Sequence, residues 1–364
     1  LALLFKQLTQ STLTRLQGLR RLKGLAKANV WGNFIALLVT IPLYYYWRID
    51  AIVPAIILSA LISFAVAQFV DARSKQTIVF TAPLRAWQEG TAMVRLGLML
   101  SLSSIVTLLV GYGMQLFISG MGGLAQVGLY NAGFLILNTY VGLIFTAMGT
   151  DYFPRLSSVG EDLDKTKMIV GNQAEMATLL MLPIIVIFLA LAPWIITLLY
   201  TPEFEAVVPL VRWGILGMLF KAVSFSLGYV IIARGDSSLF LRTTLSFNLI
   251  LFTLNALGYY YWGLLGLGLS FFGYYIIHFL SLILIVRWRY ALTLPRTLYA
   301  VFFLGLILCV LVFLLSSFSG SVLQIALTVI LIAITCLFSL YRLNQRIDLV
   351  PILRRKKDQD SDEH

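Results

Sequence analysis

Apolar residues in this chain run in long unbroken stretches, and Gly, Pro or charged residues divide them into about ten segments. These fall at Asn29–Arg48, Ala51–Val70, Ala92–Ile118, Val127–Gly149, Met176–Tyr200, Ala206–Ile232, Thr244–Tyr261, Gly263–Val286, Leu298–Ser317 and Val322–Tyr341. A helix needs roughly 20 residues to cross a hydrocarbon layer of about 30 Å. Barrel strands would need only about ten residues of alternating polarity, a pattern these runs lack. The chain is therefore predicted to be all-α: a polytopic transmembrane helical bundle of about ten helices.

Composition agrees, with 60% of the 364 residues hydrophobic, 12% charged and a mean hydropathy of +0.91. A soluble domain would have nowhere to bury that surface. The basic residues then orient the bundle. Lys6, Arg15, Arg20, Arg21, Lys23 and Lys27 precede the first segment; Arg73, Lys75, Arg85 and Arg95 follow the second; Arg155, Lys165 and Lys167 follow the fourth. Arg234, Arg242, Arg287, Arg289, Arg296 and the cluster from Arg342 to Lys357 fall on the same side, whereas the opposite side has Arg48 and little else. The positive-inside bias makes the crowded side cytoplasmic and places both termini there. The net charge of +11 is thus mostly a topology signal, and no motif for nucleic acid accompanies it.

Residues 1–28 read as a basic amphipathic cytoplasmic segment, lying in the headgroups or forming a helical loop. Residues 151–172 read as a solvated cytoplasmic connection and 342–364 as a polar cytoplasmic tail. No cofactor or metal site is expected, because Cys309 and Cys336 have no ligand spacing and only two His are present. The same scarcity of His disfavours hydrolytic chemistry, and no Walker sequence is present. Gly263, Gly266 and Gly268 resemble a phosphate loop but follow no strand, so they read as close helix packing. The opening run Leu1 to Phe5 lacks a signal-peptide cleavage pattern.

Within the segments, Lys221 is the informative residue. It lies near the middle of Ala206–Ile232, about 13 residues or 20 Å from Arg234, too far for its stem to snorkel. Gly214, Gly217, Ser224 and Gly228 share its face, which suits protein or water rather than lipid. An ionisable group at that depth indicates a substrate or ion role, or a buried acidic partner. Arg212, about half a turn round the helix, is expected near the outer interface. Asn131 and Asn138 lie seven apart, as do Asn248 and Asn255, so each pair shares a face. They serve either interhelical hydrogen bonding or a polar cavity that meets sugar hydroxyls. Asn131 and Asn138 are better placed for the cavity, since Tyr130 and Tyr140 accompany them.

The run VGLYNAGFLILNTYVGLIFTAMGTDYFPRLSSV, Val127 to Val159, is followed by GNQAEMATLLMLP, Gly171 to Pro183, and LLYTPEF, Leu198 to Phe204. Together with Leu16 to Phe64 and Leu216 to Tyr229, these segments resemble the oligosaccharide flippases of O-antigen and capsule synthesis, in the superfamily of the multidrug and toxin extrusion transporters. Within TDYFPR, Thr150 to Arg155, Pro154 is expected to stop a helix and Arg155 to sit at the headgroups. The resemblance implies a two-lobed flippase with an incomplete first lobe, lacking about four N-terminal helices. Residues 29–91 would be the last two helices of the first lobe plus a cytoplasmic loop, 92–287 the second six-helix lobe, and 288–341 an additional C-terminal pair. Such a chain is expected to need the missing helices for full transport.

The implied substrate is an undecaprenyl-pyrophosphate oligosaccharide, O-antigen or similar, turned outward across the bacterial inner membrane. The partners would be the lipid bilayer and polymerase or ligase proteins of the same pathway, without enzymatic activity in this chain. Lys221 would contact the pyrophosphate, with Arg95 at the cytoplasmic mouth and Asn131, Asn138 and Tyr140 meeting sugars. Glu175 or Asp151, at cytoplasmic helix ends, would carry a coupling ion. The alternatives are a multidrug exporter, which would want a carboxylate in the cavity, and a membrane enzyme of polysaccharide synthesis, which would want a large outer loop.

Overall fold

A computed structural model describes residues 1–72, 83–160, 162–317 and 322–347. The basic positions Arg73 and Lys75, the acidic Glu161 and the tail beyond Ile347 lie outside the described residues, as does the side chain of Arg85. Among the described residues ten α-helices follow in order: α1 Ala2–Gly18, α2 Leu22–Trp47, α3 Ile52–Ala72, α4 Pro83–Leu135, α5 Leu143–Ser157, α6 Leu163–Leu199, α7 Val208–Ala233, α8 Ser237–Tyr290, α9 Arg296–Leu315 and α10 Val322–Ile347. Among the described residues there is no strand. Seven stretches are long and apolar enough to cross a membrane. Three of them double back, so that among the described residues ten helical arms correspond to the ten apolar runs.

Each reversal has a local cause. α4 breaks at Gly123 (φ 77°) and α8 at Gly263 (φ 57°), in the left-handed region that glycine enters without a Cβ penalty. Across the first break Gln115 Nε2 donates to Asn131 Oδ1 at 3.1 Å. Across the second, Ser270 Oγ donates to the Leu254 carbonyl at 2.6 Å. Gly263 is thus the turn itself, a correction to its reading as a packing residue. Gly266 and Gly268 are the close contacts, against Gly258 and the Leu210 backbone.

The chain forms two compact units, one of Leu1–Gly90 with Gly149–Arg155 and the other of Thr91–Met148 with Leu156–His364. In the first, α1 lies lengthwise on α3: the Phe5 and Phe64 rings are 5.9 Å apart, Gln68 donates to Thr12 at 3.4 Å and Arg15 pairs with buried Asp71. The segment read as 1–28 is therefore two elements, α1 and the opening turns of α2.

In the second unit α6 and α7 form the best-buried pair, with Leu182, Ile185, Leu189, Ile215, Met218 and Leu219 wholly enclosed. Phe220, Phe279 and Phe302 form an aromatic cluster at 5.2–5.7 Å between centroids. Arg212 donates to the Phe313 carbonyl at 2.8 Å and to Ser316 and Ser317 hydroxyls, capping the C-terminal end of α9. α6 begins at Leu163, capped by Asp162, whose side chain accepts from the Lys165 amide at 3.0 Å. That hydrogen bond, with the Lys165 side chain, holds the Asp162 carboxyl below its ordinary range. The connection read as 151–172 is thereby mostly helix.

Pro154 also departs from expectation, since α5 continues through it to Ser157. A proline leaves the carbonyl four residues earlier without its amide donor. Here that carbonyl, Thr150 O, accepts from Gln17 Nε2 at 3.1 Å. Pro183 in α6 is accommodated in the same way, with the Leu179 carbonyl accepting from Ser339 Oγ at 2.9 Å. Neighbouring side chains satisfying freed carbonyls are what let proline persist within membrane helices.

The sequence contains a repeat that the apolar pattern hides. A constant separation relates LALLFK (Leu1–Lys6) to LGMLFK (Leu216–Lys221), Asn33 to Asn248, and YYYW at Tyr44–Trp47 to YYYW at Tyr259–Trp262. The same separation relates Arg20 (φ 55°) to Gly235 (φ 67°) and Arg48 (φ 47°) to Gly263 (φ 57°). It also relates the Phe5–Phe64 ring pair at 5.9 Å to the Phe220–Phe279 pair at 5.7 Å. So α1–α3 and α7–α8 are two copies of one three-helix module, an internal repeat of the kind common in transporters. Where the second copy has Gly263, the first holds Arg48 in a conformation that costs a side-chain-bearing residue on the order of 1–2 kcal/mol. Arg48→Gly is expected to raise the thermal unfolding midpoint, with a net gain of about 0.5–1 kcal/mol; a lower midpoint by tryptophan fluorescence would contradict this.

Candidate functional site

The candidate site is built in the second unit, around Lys221 near the middle of α7. Its ammonium donates to Asn138 Oδ1 at 3.3 Å and lies 5.6 Å from the centroid of Phe145 and 5.3 Å from that of Tyr275. Among the described residues no carboxylate lies within 4.0 Å of it, so the acidic partner considered as an alternative is absent there. Two ring faces offset part of the cost of desolvation, at most about 2 kcal/mol each, against several for the ion. Among the described residues the site thus holds a basic group with no acid placed to neutralise it.

Asn138 connects this charge to an open groove. It sits in a π-helical segment, Ile136–Val141, between α4 and α5. Such wide turns occur as single insertions in helices, frequently at functional sites. The groove, about 800 Å³, is lined by Gln115, Tyr130, Asn131, Asn138, Thr139 and Tyr200, with apolar neighbours. Lys221 does not itself line it; Asn138 stands between. With its oxygen engaged by the ammonium, the Asn138 amide presents N–H donors, suited to an oxyanion or a hydroxyl.

The structure thus brings Lys221, Asn131 and Asn138 together. Tyr140 does not join them: it is 48% exposed and outside the groove lining, because the wide turn advances the helical frame beyond Asn138. Tyr130, one turn from Phe134 on the regular part of the helix, takes the place in the groove. Arg95 is exposed on the first arm of α4. Asp151 belongs to the first unit, 3.5 Å from Arg20 and 3.9 Å from Arg155. Glu175 was expected at a solvated helix end, yet α6 starts twelve residues before it and the residue is only 2% exposed. The apolar run that defined the segment began later than the helix did.

Sequence reasoning missed the ring cage and His278. Tyr275 and His278 lie on adjacent turns of α8, 5.9 Å apart, and Phe247 packs on His278 at 4.4 Å. Among the described residues His278 Nδ1 is buried without a hydrogen-bond partner. The spacing of three between Tyr275 and His278 was the available signal.

These features define a multi-pass helical membrane protein with a polar groove beside a mid-helix cation. Residues 1–209, more than half of the chain, match the family described as polysaccharide biosynthesis protein, and the chain belongs to that family. No curated protein sequence matches it. Among solved structures it is similar to a mutant of a MATE protein, with 14% identity and a TM-score of 0.65, covering 75% of this chain and 62% of that one. It is also similar to the lipid II flippase MurJ in an inward closed conformation, with 13% identity and a TM-score of 0.58, covering 96% of this chain and 73% of that one. The chain therefore spans less than two thirds of the MATE protein's length. At these identities the likeness is one of fold alone.

Proposed function

We propose that the chain moves an undecaprenyl-pyrophosphate oligosaccharide, an O-antigen unit or a similar repeat, from the cytoplasmic to the periplasmic leaflet by alternating access. It does so in the inner membrane with both termini cytoplasmic, and residues 29–91 and 92–287 belong to its first and second lobes. The observation that carries this reading is a mid-helix ammonium with no carboxylate beside it among the described residues, whose amide partner opens onto the groove. A pyrophosphate passing through a low-dielectric layer needs such a counter-charge, while Asn131, Thr139 and Tyr130 accommodate hydroxyls of varied sugars. Arg95 would assist loading, and Glu175 or Asp151 would couple an ion gradient.

A drug exporter of organic cations fits less well, because the groove lining contains no carboxylate. Chain-loaded nanodiscs are expected to bind fluorescent undecaprenyl-pyrophosphate N-acetylglucosamine and to ignore ethidium. The opposite preference would replace the lipid-linked substrate with a cationic drug.

A further inference from the structure

The groove beside Asn138 also takes in the end of α6 and the turn that follows it. Tyr200 closes α6 as its C-cap in an extended conformation, and Pro202 opens a short 3₁₀ segment, Pro202–Val207. The Phe204 amide donates back to the Thr201 carbonyl at 3.0 Å and sets the turn. The Phe204 ring then stacks on the Tyr200 ring, with centroids 4.9 Å apart and planes 22° from parallel. Phe279 and Phe302 stack as well, at 12°, but as buried core rings. Tyr200 and Phe204 are only half-buried, and both line the groove. Every residue of that lining belongs to the second unit.

A pyranose has two kinds of surface, a face of C–H groups with slight positive charge and a rim of hydroxyls. An aromatic face carries the negative part of the ring quadrupole and attracts C–H groups laid flat on it. Side-chain amides suit the rim. Stacked rings with a few amides are therefore the complement of a sugar, and the groove has both. Gln115 Nε2 donates to Asn131 Oδ1 at 3.1 Å, which leaves the Asn131 N–H groups to donate. The Tyr200 hydroxyl is buried without a hydrogen-bond partner among the described residues, so the ring rather than the phenol oxygen meets the groove. Because the pair is already stacked on short, stiff side chains, little freedom is lost on binding. Glu203 and Glu205 flank Phe204 and are exposed, which disfavours an anion at this end. Charge thus orients a ligand with its pyrophosphate towards Asn138 and Lys221 and its sugar towards the rings.

We propose that Tyr200 and Phe204 form a stacking platform that determines specificity for the sugar, holding the apolar face of the pyranose joined to the pyrophosphate. The inference rests on the proposed function and divides recognition in two: a charge reads the pyrophosphate, and a ring pair reads the sugar.

The test uses the full chain in phosphatidylcholine nanodiscs and two fluorescent probes, undecaprenyl-pyrophosphate N-acetylglucosamine and undecaprenyl pyrophosphate without sugar. The parent is expected to bind the sugar-bearing probe about three- to tenfold more tightly, the gain from one aromatic contact. Tyr200→Leu and Phe204→Leu should each remove most of that preference and leave affinity for the bare probe at the parent's value. Tyr200→Phe should keep the preference, since the ring remains. Lys221→Ala should weaken both probes alike. The platform is wrong if the parent binds the two probes equally, a result that needs no variant to fold. It is also wrong if the leucine variants keep the preference, or if they weaken both probes to the same extent, which would place the rings against the isoprenoid chain or the pyrophosphate. In each of these cases a loss of both probes in Lys221→Ala leaves the proposed function standing. If the parent binds neither probe, the proposed function fails and the platform with it.

Discussion

Lys221→Ala is expected to weaken binding of the lipid-linked pyrophosphate sugar by about ten- to a hundredfold, since a contact to a charged group contributes about 1.5–3 kcal/mol. The effect arises in two ways. The counter-charge is lost, and the Asn138 amide, which accepts from the ammonium at 3.3 Å, is released from its orientation towards the groove. Lys221→Arg retains charge but must fit a planar fork between Phe145 and Tyr275, where a compact ammonium sits at 5.6 and 5.3 Å. It is expected to keep part of the affinity. Binding by Lys221→Ala at the parent's strength would remove the lysine from the site. Equal protein yield and thermal midpoint for both variants separate this loss from misfolding.

Gly266→Val is expected to have the largest effect on stability. Gly258 and Gly266 face each other across the turn at Gly263, and a Cβ built on Gly258 would stand 2.5 Å from the Gly266 carbonyl oxygen. Backbones this close admit no side chain, so the two arms of α8 must separate. Separation breaks the Ser270 to Leu254 hydrogen bond and shifts Tyr275, one of the rings around Lys221. Forcing bulk into such a contact costs about 1–3 kcal/mol or more. Cys309 is fully buried, so a thiol-reactive dye followed during heating reports the loss. The dye should react at a clearly lower temperature than in the parent, and an unchanged midpoint would show that the arms tolerate the extra bulk.

Much of the fold was legible because each crossing carries its own apolar run, and a run needs no knowledge of its neighbours. Lys221 was legible for the same reason, as a charge where none belongs. Asn131 and Asn138, seven apart in the sequence, both line the groove, although Asn138 lies within the wide turn. Tyr140 lies in that turn and outside the groove lining, and nothing in the local sequence announces the turn. The depth of Glu175 and the docking of α1 were hidden for a different reason. Charged and amide residues such as Lys167, Gln173 and Arg15 continue a helix as readily as leucine does, so a helix end is not where hydrophobicity ends. The cage around Lys221 joins residues 83 positions apart in one contact, a distance that no window along a single sequence spans. The repeat was the exception: it was present in the letters of LALLFK and LGMLFK.

The proline carbonyls carry one further consequence. Thr150 O, which proline at 154 leaves without its in-helix amide, accepts from Gln17 Nε2, so positions 17 and 154 meet at one oxygen. Replacing Pro154 with a better helix former would strengthen α5 in isolation and at the same time leave Gln17 facing an oxygen already bonded to its own helix. Losing the Gln17 amide would instead remove a donor from the carbonyl. Neither change is neutral alone, so in relatives of this chain positions 17 and 154 are expected to vary together, although 136 residues of sequence lie between them.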